Sequence, residues 1–163
     1  MRLTPCLAVS LLLAVGCSSY QLVHPEQALA PVGPVPGNVA RVCVVRTSVI
    51  ASLVTFPTRD NGVLVGATRG ATHFCYLAQP GHHRIQIEAD AEEHAELDAE
   101  GGRSYFLKQE VDNVFGYVKC RAVWVDERQG AELLDASSYA ILGGVPGTEK
   151  LPPQPTYVAA AAR

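Results

Sequence analysis

The sequence is short of most things that announce a chemistry. It holds no GxSxG, no HExxH and no phosphate-cradling glycine loop, so the common nucleophilic, zinc-hydrolytic and nucleotide signatures are absent. No CxxC or HxxxH spacing marks a metal site. Lysine and arginine number 13 against 16 acidic residues, with no basic run, so there is no electrostatic footprint for nucleic acid. Beyond the N-terminus no apolar run approaches the roughly 20 residues of a membrane-spanning helix. These absences speak against an enzyme, a resident cofactor or metal, and a nucleic-acid partner.

What is present begins at residue 1. Arg2 precedes an apolar run from Cys6 to Val15, and Gly16-Cys17-Ser18-Ser19 follows. One charge, a run of about ten apolar residues and a small exit residue lay out a secretory signal, too short to stay as an anchor. Leu13-Ala14-Val15-Gly16-Cys17 resembles a bacterial lipobox, although Ala14 stands where leucine is usual. The resemblance implies a diacylglycerol on the Cys17 thiol, cleavage after Gly16 and acylation of the new amine. Several acyl chains hold a protein on a membrane firmly where one holds weakly. Ser18, by its similarity to enterobacterial sorting signals, favours the outer membrane of a bacterial cell envelope. Loss of residues 1–16 would remove Arg2 alone among the charges and move the formal charge from −3 to −4.

Four regions follow from composition: a lipoprotein signal (1–16), a lipidated N-terminus with a Pro/Gly-rich tether (17–39), a β domain (40–143) and a tail expected to be disordered (144–163). The tether carries Pro25, Pro31, Pro34 and Pro36 with Gly33 and Gly37. That pattern suits an extended spacer and neither helix nor central strand. The tail is punctuated by Pro146, Pro152, Pro153 and Pro155 and ends in an alanine run.

Between them, apolar and polar residues alternate with period two. Arg41 to Arg46 is an apolar strand, Ser48 to Phe56 a second, and Pro57 to Gly62 a turn centred on Asn61-Gly62. Val63 to Val65 and Thr72 to Leu77 are strands separated by a turn at Arg69-Gly70. In His82 to Ala89, the residues His83, Ile85 and Ile87 share one face. Ala95, Leu97 and Ala99 share another, and so do Tyr105, Leu107 and Val111. In the last long strand Val118, Cys120, Ala122 and Trp124 oppose Lys119 and Arg121. Strands at intervals of about ten residues imply an all-β sandwich of about seven strands. Asp126 to Leu134 reads as a short C-terminal helix.

The order of these pieces resembles the bacterial lipoproteins grouped as domain of unknown function 2846, similar in style to PEGA-type β-sandwich modules. The pieces are Val42-Cys43-Val44-Val45-Arg46, Asn61-Gly62-Val63-Leu64-Val65-Gly66, the turn at Arg69-Gly70, His73-Phe74-Cys75-Tyr76, Pro80-Gly81-His82-His83 and Gly102-Arg103-Ser104-Tyr105-Phe106. Trp124-Val125-Asp126-Glu127 is a weaker one. The resemblance spans roughly residues 40 to 136 and implies a fold and an address, not a chemistry.

Candidate sites divide accordingly. With Cys6 lost and Cys17 lipidated, Cys43, Cys75 and Cys120 remain in an oxidising compartment. One disulfide with one buried thiol is the simplest arithmetic, and three buried thiols the other reading. Of the pairings, Cys75 with Cys120 is the expectation. His82 and His83, adjacent on a strand, point to opposite faces, so one is expected buried beside a turn. His73 and Cys75 share a face and, with Cys43 or Cys120, have donors for a soft metal; packing or a disulfide suits them better. The acidic stretch Asp90 to Glu100 around His94 lacks an EF-hand's ligand order and reads as surface charge. Function then narrows to a non-enzymatic, membrane-anchored module that binds an envelope protein or another surface component. The alternative is a periplasmic lipoprotein that binds a small ligand or a metal.

Overall fold

In a computed structural model of the chain, residues 19–25 and 33–161 are described. The expected signal peptide and Cys17 lie outside them. The elements are β1 (Gln21–Val23), β2 (Ala40–Arg46), β3 (Thr55–Asp60), β4 (Val63–Arg69), β5 (Thr72–Ala78), β6 (Gly81–Glu88), β7 (Glu92–Ala99), β8 (Ser104–Val114), β9 (Tyr117–Val125), α1 (Glu127–Asp135), β10 (Ser138–Tyr139), β11 (Ile141–Gly144) and β12 (Tyr157–Val158). One sheet has the order β10-β5-β2-β8-β9, with β12 also pairing β5; the other has the order β4-β3-β6-β7. The fold is an all-β sandwich with a short helix near its C-terminal end. Eight strands, β2 to β9, carry it instead of about seven, and the short β10 and β12 extend the first sheet.

Alternation decides which residues meet between the sheets. Val42 and Val44 of β2, Phe74 and Tyr76 of β5, and Leu107 of β8 face Phe56, Ile85 and Ile87 of the second sheet in one buried cluster. The opposite face of β2, β5 and β8 presents Cys43, Val45, Cys75 and Phe106, and α1 covers it with Leu133 and Leu134. Asp126 caps α1, its Oδ1 accepting from the Gln129 amide at 2.8 Å. Gly130 is the buried residue of that helix. A Cβ there would overlap the Phe106 ring.

Three expectations are corrected. The second strand begins at Thr55, not Ser48, and runs through Pro57 to Asp60. Pro57 is tolerated because the ladder between β3 and β6 starts only at Thr58. The tether does not wholly stand off: β1 pairs antiparallel with β11, and Tyr20 and Leu22 pack beside Leu64, Ala67 and Leu142. The segment 144–161 is not a disordered tail. Leu77 and Gln79 donate backbone hydrogen bonds to Thr156 and Val158 at 2.9 and 2.8 Å, and Thr156 and Val158 are buried. The open edge of β5 needs acceptors for those amides, and the returning chain supplies them.

Candidate functional site

Cys43 and Cys75 form the disulfide, and Cys120 is a buried free thiol, which corrects the expected pairing of Cys75 with Cys120. Strand parity explains it. Cys43 and Cys75 are register partners on neighbouring β2 and β5, on the face under α1. Cys120, on β9, belongs to the interior cluster on the opposite face of the same sheet. Cys75 therefore cannot reach Cys120. Burial, aided by Glu93, pushes the Cys120 thiol up to about 12, against the opposing pull of Arg46. A thiol so shifted is inert at neutral pH. His73 does not join Cys75: its Nδ1 lies 2.9 Å from the Ser137 hydroxyl, and its ring lies against Tyr139.

His83 is the buried member of the histidine pair and His82 the half-exposed one. His83 Nδ1 lies 2.8 Å from Asp60 Oδ2, and its Nε2 lies 2.8 Å from the Gln79 carbonyl. With Asp60 ionised, both partners accept, an arrangement that favours the imidazolium. Burial lowers its pKa, but the hydrogen bonds to Asp60 and Gln79 outweigh that and raise it overall. Tyr76 donates to the same carboxylate oxygen at 2.9 Å, and burial beside Asp60 holds its phenol protonated. Both ring nitrogens of His83 are engaged by partners within the fold. It clamps β3, β5 and β6 together.

The exposed face of β6 and β7 is polar. His82 contacts Glu96 and Asp98 at 3.2 and 3.1 Å, while Arg103 pairs with Glu100. Glu93 turns the other way and accepts from the Ala122 amide at 3.3 Å. Among the described residues, no three His, Cys, Asp or Glu side chains gather as a metal site. Across the seam between β7 and β9 lies an open cleft of about 570 Å³ containing Tyr105 and Trp124. Its rings meet edge to face, and the Trp124 indole donates to the Glu96 carbonyl at 3.0 Å.

Sequence reasoning passed over one end of the sandwich. β2 and β8 run parallel, so the segment after Arg46 and the hairpin tip after Val114 emerge at the same end. Gly70, in the turn that opens β5, lies close to Ser52 there. This end exposes Val49, Ile50, Leu53 and Val54 on the first segment, and Val114, Phe115 and Tyr117 on the hairpin. Leu53 is 90 % exposed and Phe115 fully so.

The first segment is held from beneath by Arg46, itself buried. Its Nη1 donates to the Val54 carbonyl at 2.9 Å, and its Nη2 to those of Ile50 and Ala51 at 2.6 and 2.7 Å. The guanidinium stacks 4.3 Å from the centre of the Phe56 ring. Burial lowers its pKa, partly offset by Cys120. The second tip is steadied by Tyr117, whose hydroxyl donates to the Asp90 carbonyl at 2.9 Å. The one signal available in the sequence was the ten-residue stretch from Thr47 to Phe56, which carries no charge; its alternation hid it as a strand.

No family model, curated protein or solved structure matches this chain. Its class is the one its geometry defines, a disulfide-bridged β-sandwich with an apolar crown at one end.

Proposed function

We propose that this protein is a non-enzymatic contact module of a bacterial cell envelope, anchored by lipid on Cys17, that works through the apolar end of its sandwich. The observation that carries the reading is the set of seven exposed large apolar side chains at that end, Val49, Ile50, Leu53, Val54, Val114, Phe115 and Tyr117. Scattered surface apolar residues need no explanation, whereas a group presented on two tips at one end of the sandwich marks a contact surface. Exported β-sandwich architecture, a disulfide and the lipobox-like start agree with the address. Small-ligand binding keeps one observation in its favour, the Tyr105 and Trp124 cleft.

The test places a tryptophan at the crown. In the acylated chain carrying Phe115→Trp, the added emission, read against wild type with its single tryptophan, should be shielded from iodide in native envelope membranes. Quenching there as strong as that of free N-acetyltryptophanamide refutes the crown as a contact surface.

A further inference from the structure

We infer that the crown is a bilayer-inserting surface, in which Phe115, Leu53 and Val49 enter the acyl region of a membrane. The inference rests on the reading of that end as the contacting surface and names what it contacts.

The first support is a comparison within the chain. Two hairpins turn through the same pair of left-handed residues. Asn61 and Gly62 have φ of 49° and 79°, and Phe115 and Gly116 have φ of 52° and 86°. Asn-Gly is the residue pair this turn favours. At the second turn phenylalanine takes asparagine's place, in a conformation bulky residues avoid, and its fully exposed ring gains no burial to repay it. Strain and full exposure together, where the same chain has a better solution elsewhere, point to a ring displayed for use.

The second support is electrostatic. Residues 47–56 and 113–118 carry no ionisable charge apart from the Tyr117 phenol. The charges around them lie beneath or at the edge: Arg46 buried under the first segment, Arg69 exposed opposite Thr55, Lys119 opposite Asp112 in the β8–β9 ladder, and Asp90 beneath Tyr117. Tips without charges of their own, edged by tyrosine, arginine, lysine and aspartate, match the layering of acyl region and headgroups.

The third support concerns the backbone. Polypeptide entering hydrocarbon must satisfy its own polar groups. Arg46 takes the carbonyls of Ile50, Ala51 and Val54 from below. The Val54 amide donates to the Ala51 carbonyl at 2.9 Å, and the Ile50 amide to the Ser48 hydroxyl at 3.1 Å. The segment is folded onto itself, so its side chains can leave water while these backbone groups stay paired.

The experiment uses the acylated full chain with Phe115→Trp in phospholipid vesicles, with lipids brominated on the acyl chains as the quencher. Insertion predicts that emission from the introduced tryptophan falls roughly twofold, as for a ring buried some ångströms into the acyl boundary. Adding Leu53→Ser should reverse much of the fall. Bromolipid in the protein's own vesicles and bromolipid in a second vesicle population separate insertion into the anchoring membrane from insertion into a facing one. Unquenched emission in both arms overturns the inference. If the introduced tryptophan is nonetheless shielded from iodide in native envelopes, the crown contacts protein, and the contact reading survives while the lipid one fails. Phe115 is fully exposed and has no core packing to lose, and circular dichroism matching wild type confirms that the variants are folded.

Discussion

At His83 a buried imidazole sits between two acceptors, and that geometry has a pH consequence. Its folded pKa is raised above the ordinary value of 6.5. The charged form is therefore favoured by folding, and the stabilisation is fully present below about 6.5. It is lost as pH climbs through the raised folded value, each tenfold gain in proton affinity being worth about 1.4 kcal/mol. The melting temperature of the wild type should fall across that window, and His83→Gln should flatten the fall. A wild-type profile already flat there would refute the imidazolium assignment. Asp60 Oδ1 adds a second residue-scale point: it is buried without a partner among the described groups, so a buried carboxylate here depends on His83 and Tyr76. The histidine's burial was legible from the alternation of β6. Its partners were not, because Asp60 and Tyr76 reach it from other strands.

Among the elements, the disulfide joins β2 to β5 across a separation of 32 residues. Loop closure of that length contributes about 3–4 kcal/mol in the chain-entropy description. Thiol counting on the denatured protein, with Cys6 and Cys17 accounted for, should find one free thiol. Alkylation mapping should place it on Cys120. A label on Cys43 or Cys75 without prior reduction would contradict the pairing. The helix offers a test of opposite-signed terms. Gly130→Ala improves helix propensity by about 1 kcal/mol, but the new methyl overlaps the Phe106 ring. Overpacking typically costs about 1–3 kcal/mol, so denaturant unfolding should show a net loss of about 1 kcal/mol. A gain would show that α1 does not pack on Phe106. Most strands from β4 onward were readable, since one buried face imposes period two. The loop 47–54 was not, because its apolar residues are exposed and mimic a strand's. Nor was β12, whose reason for ordering is the unpaired edge of β5, a strand far earlier in the chain.

For the whole molecule, Tyr20 and the crown lie toward different ends of the sandwich. Tyr20 donates to Glu149 at 2.6 Å, and Arg59 pairs with Glu149 and with Glu88. In sequence Tyr20 is three residues from Cys17, a reach of at most about 10 Å. Arg59 lies next to the Asp60 end of β3, whereas the crown segment enters that strand at Thr55. A lipid on Cys17 would thus hold the domain close to its membrane, since β1 is already docked on β11 and the Pro-rich stretch follows β1. Cys17→Ser should abolish acylation and move the protein out of the membrane fraction or strand it unprocessed. Unchanged partitioning would sink the anchor.

Local patterning sufficed for the all-β class, the helix after Asp126, the Asn61-Gly62 turn and the inward faces of β6 to β9, since periodicity and turn chemistry belong to short stretches of chain. The folded arrangement was needed to learn which cysteines pair, what holds His83, how the C-terminal segment is ordered and where the exposed apolar residues gather. Those depend on strand order and on which strand ends coincide, and neither is written in any local stretch of residues.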